Sequence, residues 1–354
     1  MSGALLSGLR VLDLSLWQPG QYATRLLADL GAEVVKVEPP GGDRIRPDPQ
    51  RFDDLNAGKS AVELDLKSPT GYAVLVDLVR DADVLVENLS TAVAERLGVV
   101  PARLHEVNPA LVVCSVSGFG RTGPLSAGVG HDLVLQAHAG AMVPTPDGPV
   151  PMGPDTAGRV GGLAAAFAIL AAVTHARATG RGEHVDVSIT DVVASWVTAR
   201  RPRTPVPHEA PATGTFRTAD DRWLVLGIYS EDRWWDALCG ELGLPGAVGL
   251  TMEQRAERAG ELRAMLGSAI AGRDRDGLAD ALVGLGVPAG PVRDRDDVLA
   301  HPHFRARGTL VPGRGDEVRL GHPVRYAAHP AREPGPVPPP GRAPSIRIDG
   351  RTVA

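Results

Sequence analysis

The sequence predicts an α/β protein, with a parallel sheet covered by helices on both faces and a smaller domain after it. Three observations predict this. Short apolar runs alternate with stretches of helical spacing up to residue 189, the pattern of repeated β-α-β units. Residues that start and stop helices punctuate the stretches. Composition then shifts at a proline-rich segment, 200–211, beyond which the pattern changes to a hairpin and several helices.

Taken in order, Arg10–Leu14 reads as a buried strand. Tyr22–Leu30 has helical spacing and stops at Gly31, a suitable C′ residue. Glu33–Val37 is the next strand. Ser68 and Pro69 open a helix, the serine as cap and the proline at the first helical position, which runs to Arg80. Asp83–Val86 and Leu111–Val116 are further strands, joined by right-handed crossovers. Leu163–Val173, about eleven apolar residues, reads as a buried helix too short to span a bilayer. Gly180–Gly182 breaks the chain, and His184–Ile189 is one more strand. Pro202, Pro205, Pro207 and Pro211 make a stiff linker. Thr215–Tyr229 reads as a hairpin turning near Ala219–Asp221. Helices are expected over Glu231–Leu242, Met252–Ile270 and Arg275–Leu285, and an extended tail over Arg332–Pro344.

Composition excludes several functions. The 354 residues suffice for two domains. Net charge is −5, which leaves no large basic face, so nucleic-acid binding is not expected. Cys114 and Cys239 lie far apart and form no C-x-x-C, so neither a disulfide framework nor a thiolate metal site is expected. The N-terminus lacks a basic segment followed by a long apolar run, and a soluble cytoplasmic protein is expected. The loop Leu16–Gln21 holds one glycine where a dinucleotide fingerprint needs three, and neither a P-loop nor a paired-histidine metal motif occurs. The helix start after Gly20 can still hold an anion through its free N–H groups.

Several segments carry a resemblance. They are Gly8–Asp13, Leu30–Asp43, Asn56–Ser60, Leu64–Lys67, Ala82–Asn88, Gly118–Pro124, Thr179–Gly182, Gly286–Val292 and His301–Gly308. In order and over nearly the whole chain, they resemble the family III CoA-transferases, the group of formyl-CoA transferase, carnitine CoA-transferase and α-methylacyl-CoA racemase. The resemblance implies a large Rossmann-like, CoA-binding domain over 1–200 completed by 322–354. It also implies a linker at 201–212, a smaller inserted α+β domain over 213–321, and an interlocked homodimer. It implies no tightly bound cofactor, with coenzyme A, an acyl-CoA and a free carboxylic acid as the substrates; neither a metal nor a membrane is expected from the residues above.

The chemistry centres on Met152–Gly158. From the residues alone, Asp155 reads as the N-cap of the apolar helix. The resemblance assigns it the role of nucleophile, and the helix N-terminus suits an anion there. A carboxylate can attack a thioester carbonyl and expel CoA thiolate, leaving a mixed anhydride. His131, in Gly130-His131-Asp132, resembles the racemase branch, where it and Asp155 would be an acid–base pair. Glu231 stands where that branch carries a further functional glutamate, and otherwise reads as a residue of a first helical turn. Leu135–Ala137, Gly286–Gly290 and Pro154–Gly158 look more like transferases. Taken together, the segments favour CoA transfer. Racemisation, and CoA-ester binding without turnover, remain the alternatives. By motif position Gln18 and Pro19 lie beside the thioester. Leu64, Lys67, Asn88, Leu89 and Arg96 surround adenine, pantetheine and phosphates, with Lys67 and Arg96 as phosphate charges. Leu16, Pro39 and Ser117 replace the His, Arg and Lys of formyl-CoA transferase, so further phosphate contacts fall to Arg44, Arg46 or Arg121.

Overall fold

A computed structural model describes residues 4–197, 210–313, 317–339, 346–348 and 351–353. The expected linker lies almost wholly outside them. The chain divides into two compact units, Met1–Thr198 with Pro302–Ala354, and Ala199–His301.

The first unit is built on six strands and eight helices among its described residues up to 197. In chain order they are β1 (Arg10–Asp13), α1 (Gln18–Asp29), β2 (Glu33–Glu38), α2 (Pro49–Asn56), β3 (Ser60–Glu63), α3 (Pro69–Arg80), β4 (Val84–Glu87), α4 (Thr91–Leu97), α5 (Pro101–Val107), β5 (Val112–Ser117), α6 (Asp132–His138), α7 (Thr156–Thr179), β6 (His184–Ser188) and α8 (Ile189–Trp196). The strands form one sheet in the order β3-β2-β1-β4-β5-β6, parallel throughout. This is the doubly wound order of a Rossmann-like sheet, in which the crevice beyond the carboxyl ends of β1 and β4 is the place where ligands bind.

The strands alternate across the sheet because successive side chains point to opposite faces. Val11, Val84, Val86, Val112 and Cys114 pack with Ala23, Leu26 and Leu27 of α1 and with Ala165 and Ile169 of α7. Leu12, Leu85 and Val113 pack on the other face with Leu75, Leu78 and Val79 of α3 and Leu104 of α5. Both faces are covered, so β4 reads Val-Leu-Val with all three residues fully buried. Removal of each such side chain from water stabilises the fold by about 1.5–3 kcal/mol. Ser68 caps α3 as expected, its Oγ accepting from Gly71 N at 3.0 Å.

Three expectations for the first unit are corrected. The apolar stretch 163–173 is the middle of a 24-residue helix, α7, because glycines and alanines extend the pattern on both sides. By length and composition this helix is able to cross a bilayer, so the argument from shortness fails; half of its apolar window is buried within the protein. α1 starts at Gln18 rather than Tyr22, with Pro19 in its first turn. Residues 302–321, expected in the smaller domain, belong to the first unit. They comprise a short helix and a hairpin, and Arg25 of α1 donates to Leu320 O at 3.4 Å. The following segment runs back along the first unit, with Arg332 N donating to Asp29 O at the end of α1 (2.6 Å) and Gly58 N, between α2 and β3, to Pro336 O (3.1 Å).

The second unit is a three-stranded antiparallel sheet packed with helices around its own apolar cluster. Its elements are β7 (Thr213–Arg217), β8 (Trp223–Gly227), α9 (Asp232–Glu241), α10 (Met252–Glu257), α11 (Ala259–Ile270), α12 (Arg275–Gly284), β9 (Ala289–Pro291) and α13 (Arg295–Ala300). Its cluster centres on Trp235, Leu238, Leu262 and Leu278. The expected hairpin is β7–β8, with Asp221 at φ 62° in its turn. The single helix expected over 252–270 breaks at Arg258 (φ −110°, ψ 20°). In the first unit, α14 (Pro302–Ala306), the antiparallel pair β10 (Leu310–Pro312) and β11 (Val318–Leu320), and the pair β12 (Ile346–Ile348) and β13 (Arg351–Val353) complete the chain.

Candidate active site

A crevice of about 800 Å³ opens where the sheet order reverses. Its walls are the turn from β1 into α1 (Trp17–Pro19), the segment after β4 (Asn88–Ala92), the end of β5 with the glycine-rich loop after it (Ser117–His131) and the start of α7. Asn88 ties the first two together, its Oδ1 accepting from Leu16 N at 2.9 Å.

A buried polar network holds the floor beneath the turn from β1 into α1. Asp13, at the end of β1, pairs with Lys59 Nζ at 2.8 Å and accepts from Thr24 Oγ1 at 2.7 Å. Lys36 Nζ pairs with Asp43 Oδ2 at 2.8 Å and donates to Ser15 O at 2.9 Å. Gln21 Nε2 donates to Asp43 Oδ2 (2.7 Å), and Asn56 Nδ2 to Gln21 Oε1 (3.0 Å). Two cations and two anions, all buried, leave no net charge there. Burial alone would raise the Asp13 carboxyl, but Lys59 and Lys36 outweigh it and hold the group well below its usual range. Burial pulls Lys59 down to about 8 against the opposing charge of Asp13. Both groups remain charged at neutral pH. A network with every partner present is rigid, which fixes where Gln18 and Pro19 stand.

Asp155 occupies the N-cap position of α7, as the sequence suggests, but it does not cap. Its backbone is left-handed (φ 56°, ψ 13°) and its side chain takes no N–H of the helix. A non-glycine residue in that conformation costs about 1–2 kcal/mol, so surrounding contacts must hold it. They do. Asp132 Oδ1, from the start of α6, accepts from Gly158 N at 3.1 Å, the donor that a capping Asp155 would satisfy. Gln136, fully buried, donates to Asp132 Oδ2 (2.6 Å) and Gly153 O (2.9 Å) and accepts from Met152 N (2.9 Å). The Asp155 carboxylate is thereby turned into the crevice, half exposed. With the Gln18 amide oriented to satisfy both ends, its nitrogen donates to Asp155 Oδ1 (3.1 Å) and its oxygen accepts from Arg159 Nε (3.3 Å). Arg51 Nη2 stands 3.5 Å from the same Oδ1.

Of the residues singled out in the sequence, the structure gathers Asp155, His131, Gln18, Pro19, Asn88 and Leu89 around one crevice. His131 precedes α6, and its ring meets Trp17 edge to face, centroids 5.8 Å apart. Leu64, Lys67 and Arg96 do not line it. Leu64 and Lys67 follow β3, and Arg96 lies in the last turn of α4, with Lys67 and Arg96 exposed. Glu231 belongs to the second unit. Its Oε2 accepts from Tyr229 N (3.0 Å) and Ser230 N (3.1 Å). Burial nudges its carboxyl upward, but these N–H groups and Arg255 hold it below its ordinary value. Two arginines suggested for phosphates are engaged elsewhere. Arg46 grips Glu38 through Nε (2.7 Å) and Nη2 (2.6 Å), and Arg121 pairs with buried Glu87. Sequence reasoning missed Arg51, Asp132 and Gln136. Only the Asp132–Gln136 spacing, one helical turn, hinted that two of them act together. Ser117 lines the crevice, and its buried Oγ has no hydrogen-bond partner among the described residues. Among the described residues no group of three or more His, Cys, Asp or Glu is placed to hold a metal.

The sequence profile described as CoA-transferase family III matches residues 6–343. A succinate–glutarate CoA-transferase of Agrobacterium fabrum is 31% identical, the match covering 91% of each chain. An α-methylacyl-CoA racemase of Homo sapiens is 30% identical over 88% of this chain and 84% of that one. A crystal structure of a hypothetical protein from Mycobacterium tuberculosis is 30% identical, covers 96% of this chain and 98% of that one, and superposes with a TM-score of 0.85.

Proposed function

The chain belongs to CoA-transferase family III, and we propose that it moves CoA from an acyl-CoA to a free carboxylic acid through Asp155. It is an acyl-CoA transferase by its relatives; the residue roles are the proposal. The observation that carries them is Asp155 itself, a helix-terminal carboxylate released from capping and exposed to the crevice. One of its oxygens attacks the thioester carbonyl, and the C–S bond breaks as CoA thiolate leaves. The thiolate then attacks the Asp155 carbonyl and expels the first acid as its carboxylate. A second carboxylate reverses the two steps and departs as the new thioester. The N–H groups of Thr156 and Ala157, first-turn donors without intrahelical partners, are suited to the oxyanions of the tetrahedral stages. Gln18 donates to the nucleophile in the resting state.

Asn88 and Leu89 line the pantetheine path on this reading, and Leu64, Lys67 and Arg96, outside the crevice, would meet the nucleotide end. Homodimer formation fits the uncovered apolar face of α7, where Phe167 is 76% exposed. The second reading is racemisation of an α-substituted acyl-CoA, favoured by His131 in the same crevice as Asp155 and by the racemase relative.

One experiment separates the two. An acyl-CoA is incubated in heavy water with and without a second acid. Transfer gives a new thioester only when the acid is present and no deuterium at the α-carbon. His131→Gln then lowers the rate less than the hundredfold or so that loss of a general acid–base group costs. Deuterium incorporation without acid, and no new thioester with it, rejects transfer.

A further inference from the structure

One cation of the crevice is left without a role by that scheme. Arg51 lies in the first turn of α2, and its ion-pair partner is Asp155, 3.5 Å away, with both side chains 46% exposed. The contact is longer than a hydrogen bond, and an exposed pair of this kind adds little to stability. It is therefore free to exchange partners. The crevice's other arginine, Arg121, is not: Glu87, 2% exposed, holds its guanidinium.

The charge balance of the reaction decides what Arg51 does. In the resting enzyme Asp155 is an anion and satisfies Arg51. Once CoA thiolate has displaced the first acid from the anhydride, residue 155 is a neutral thioester, and Arg51 keeps no ion-pair partner among the described residues. That is the stage at which one free carboxylate must leave and another must arrive. We propose that Arg51 is the binding site for the carboxylate of the free acid, occupied while Asp155 is held as its CoA thioester. The inference rests on the reading of Asp155 as nucleophile. A guanidinium offers parallel N–H donors that match a carboxylate. One oxygen of the incoming acid is held by Arg51 while the other attacks the Asp155 carbonyl and the C–S bond breaks, releasing thiolate. The thiolate attacks the acyl carbon of the new anhydride, the C–O bond to Asp155 breaks, and the aspartate anion returns to Arg51. Release of the product thioester is thus coupled to restoration of the resting pair.

The test uses Arg51→Gln and Arg51→Lys in the full-length enzyme, with two readouts. The first is the steady-state KM for the acceptor acid. The second is the mass of the peptide containing Asp155 after incubation with acyl-CoA alone, which reports the CoA adduct without any acceptor. Arg51→Gln should raise the acid KM about tenfold or more, the loss of one charge-assisted hydrogen bond, and still form the adduct. Arg51→Lys, which keeps the charge and loses the fork, should recover part of the KM. An unchanged acid KM in Arg51→Gln overturns the assignment. Absence of any adduct at Asp155 in the wild-type enzyme overturns the nucleophile reading instead, so the two failures are distinct.

Discussion

Asp155 and Asp132 divide between them what one residue does at an ordinary helix start. Asp132 supplies the hydrogen bond to Gly158 N, and Asp155 keeps the cap position but turns its carboxylate outward in a left-handed backbone. Asp132→Ala should therefore cost about 1 kcal/mol of stability, the ordinary loss of a cap. It should also lower kcat with little change in KM for acyl-CoA, because the nucleophile loses its fixed position. Thermal melts and steady-state kinetics check both; a stability loss with kcat intact would reduce Asp132 to a cap alone. At this scale the sequence was legible where a motif is local. Asp155 could be placed at the mouth of a helix from Pro154 and the run after it. That its capping bond is taken by a residue 23 positions earlier depends on the folding of α6 against α7, which no spacing reveals. Glu231 shows the same limit, since its carboxylate is engaged by the backbone of its own turn.

Elements were legible in proportion to their apolar content. β1, β2, β4 and β5 carry buried runs and stood out, and β6 stood out by its alternation. β3, only Ser-Ala-Val-Glu, did not, nor did the short helices α2, α4, α5 and α6, whose outward residues dominate their composition. The site depends most on how α1 meets α7. A Cβ at Gly162 would stand 2.6 Å from Pro19 O and 3.1 Å from a Tyr22 ring carbon, so only glycine lets the two helices approach this closely. Gly162→Ala must push backbone away from backbone, at a cost of about 1–3 kcal/mol. Pro19 belongs to the crevice wall, so activity should fall by more than the loss of folded enzyme explains. Denaturant midpoints compared with the activity of the folded fraction read this directly; a variant as stable and active as wild type would contradict the packing.

For the whole molecule, alternation predicted the α/β class, but strand order comes from pairing and was not readable. The second domain boundary moved from 321 to 301 because the bonds that return 302–339 to the first unit span hundreds of residues of sequence, as from Arg25 to Leu320. Global stability should carry the mark of the buried network. Asp13 titrates at 3.8 when free and lower in the folded protein, so below 3.8 the unfolded chain binds more protons. The contribution of Asp13 is present above that pH and lost as pH falls through the folded value. Urea midpoints measured down a pH series should decline there. Asp13→Asn should be less stable at neutral pH, where it leaves Lys59 without its counterion, and should show a shallower acid decline. Equal slopes in both proteins would show that other carboxylates govern acid unfolding.

The most direct measurement follows oxygen. The enzyme is turned over once with an acyl-CoA and an acceptor acid whose carboxylate carries two heavy oxygens, and the peptide containing Asp155 is then weighed. Attack by that carboxylate on an aspartyl thioester, followed by cleavage at the acyl carbon, must leave one heavy oxygen on Asp155 and one in the product thioester. Heavy oxygen in the product with none on Asp155 would contradict the account, because CoA would then have passed between the two acids without a covalent stop on that carboxylate.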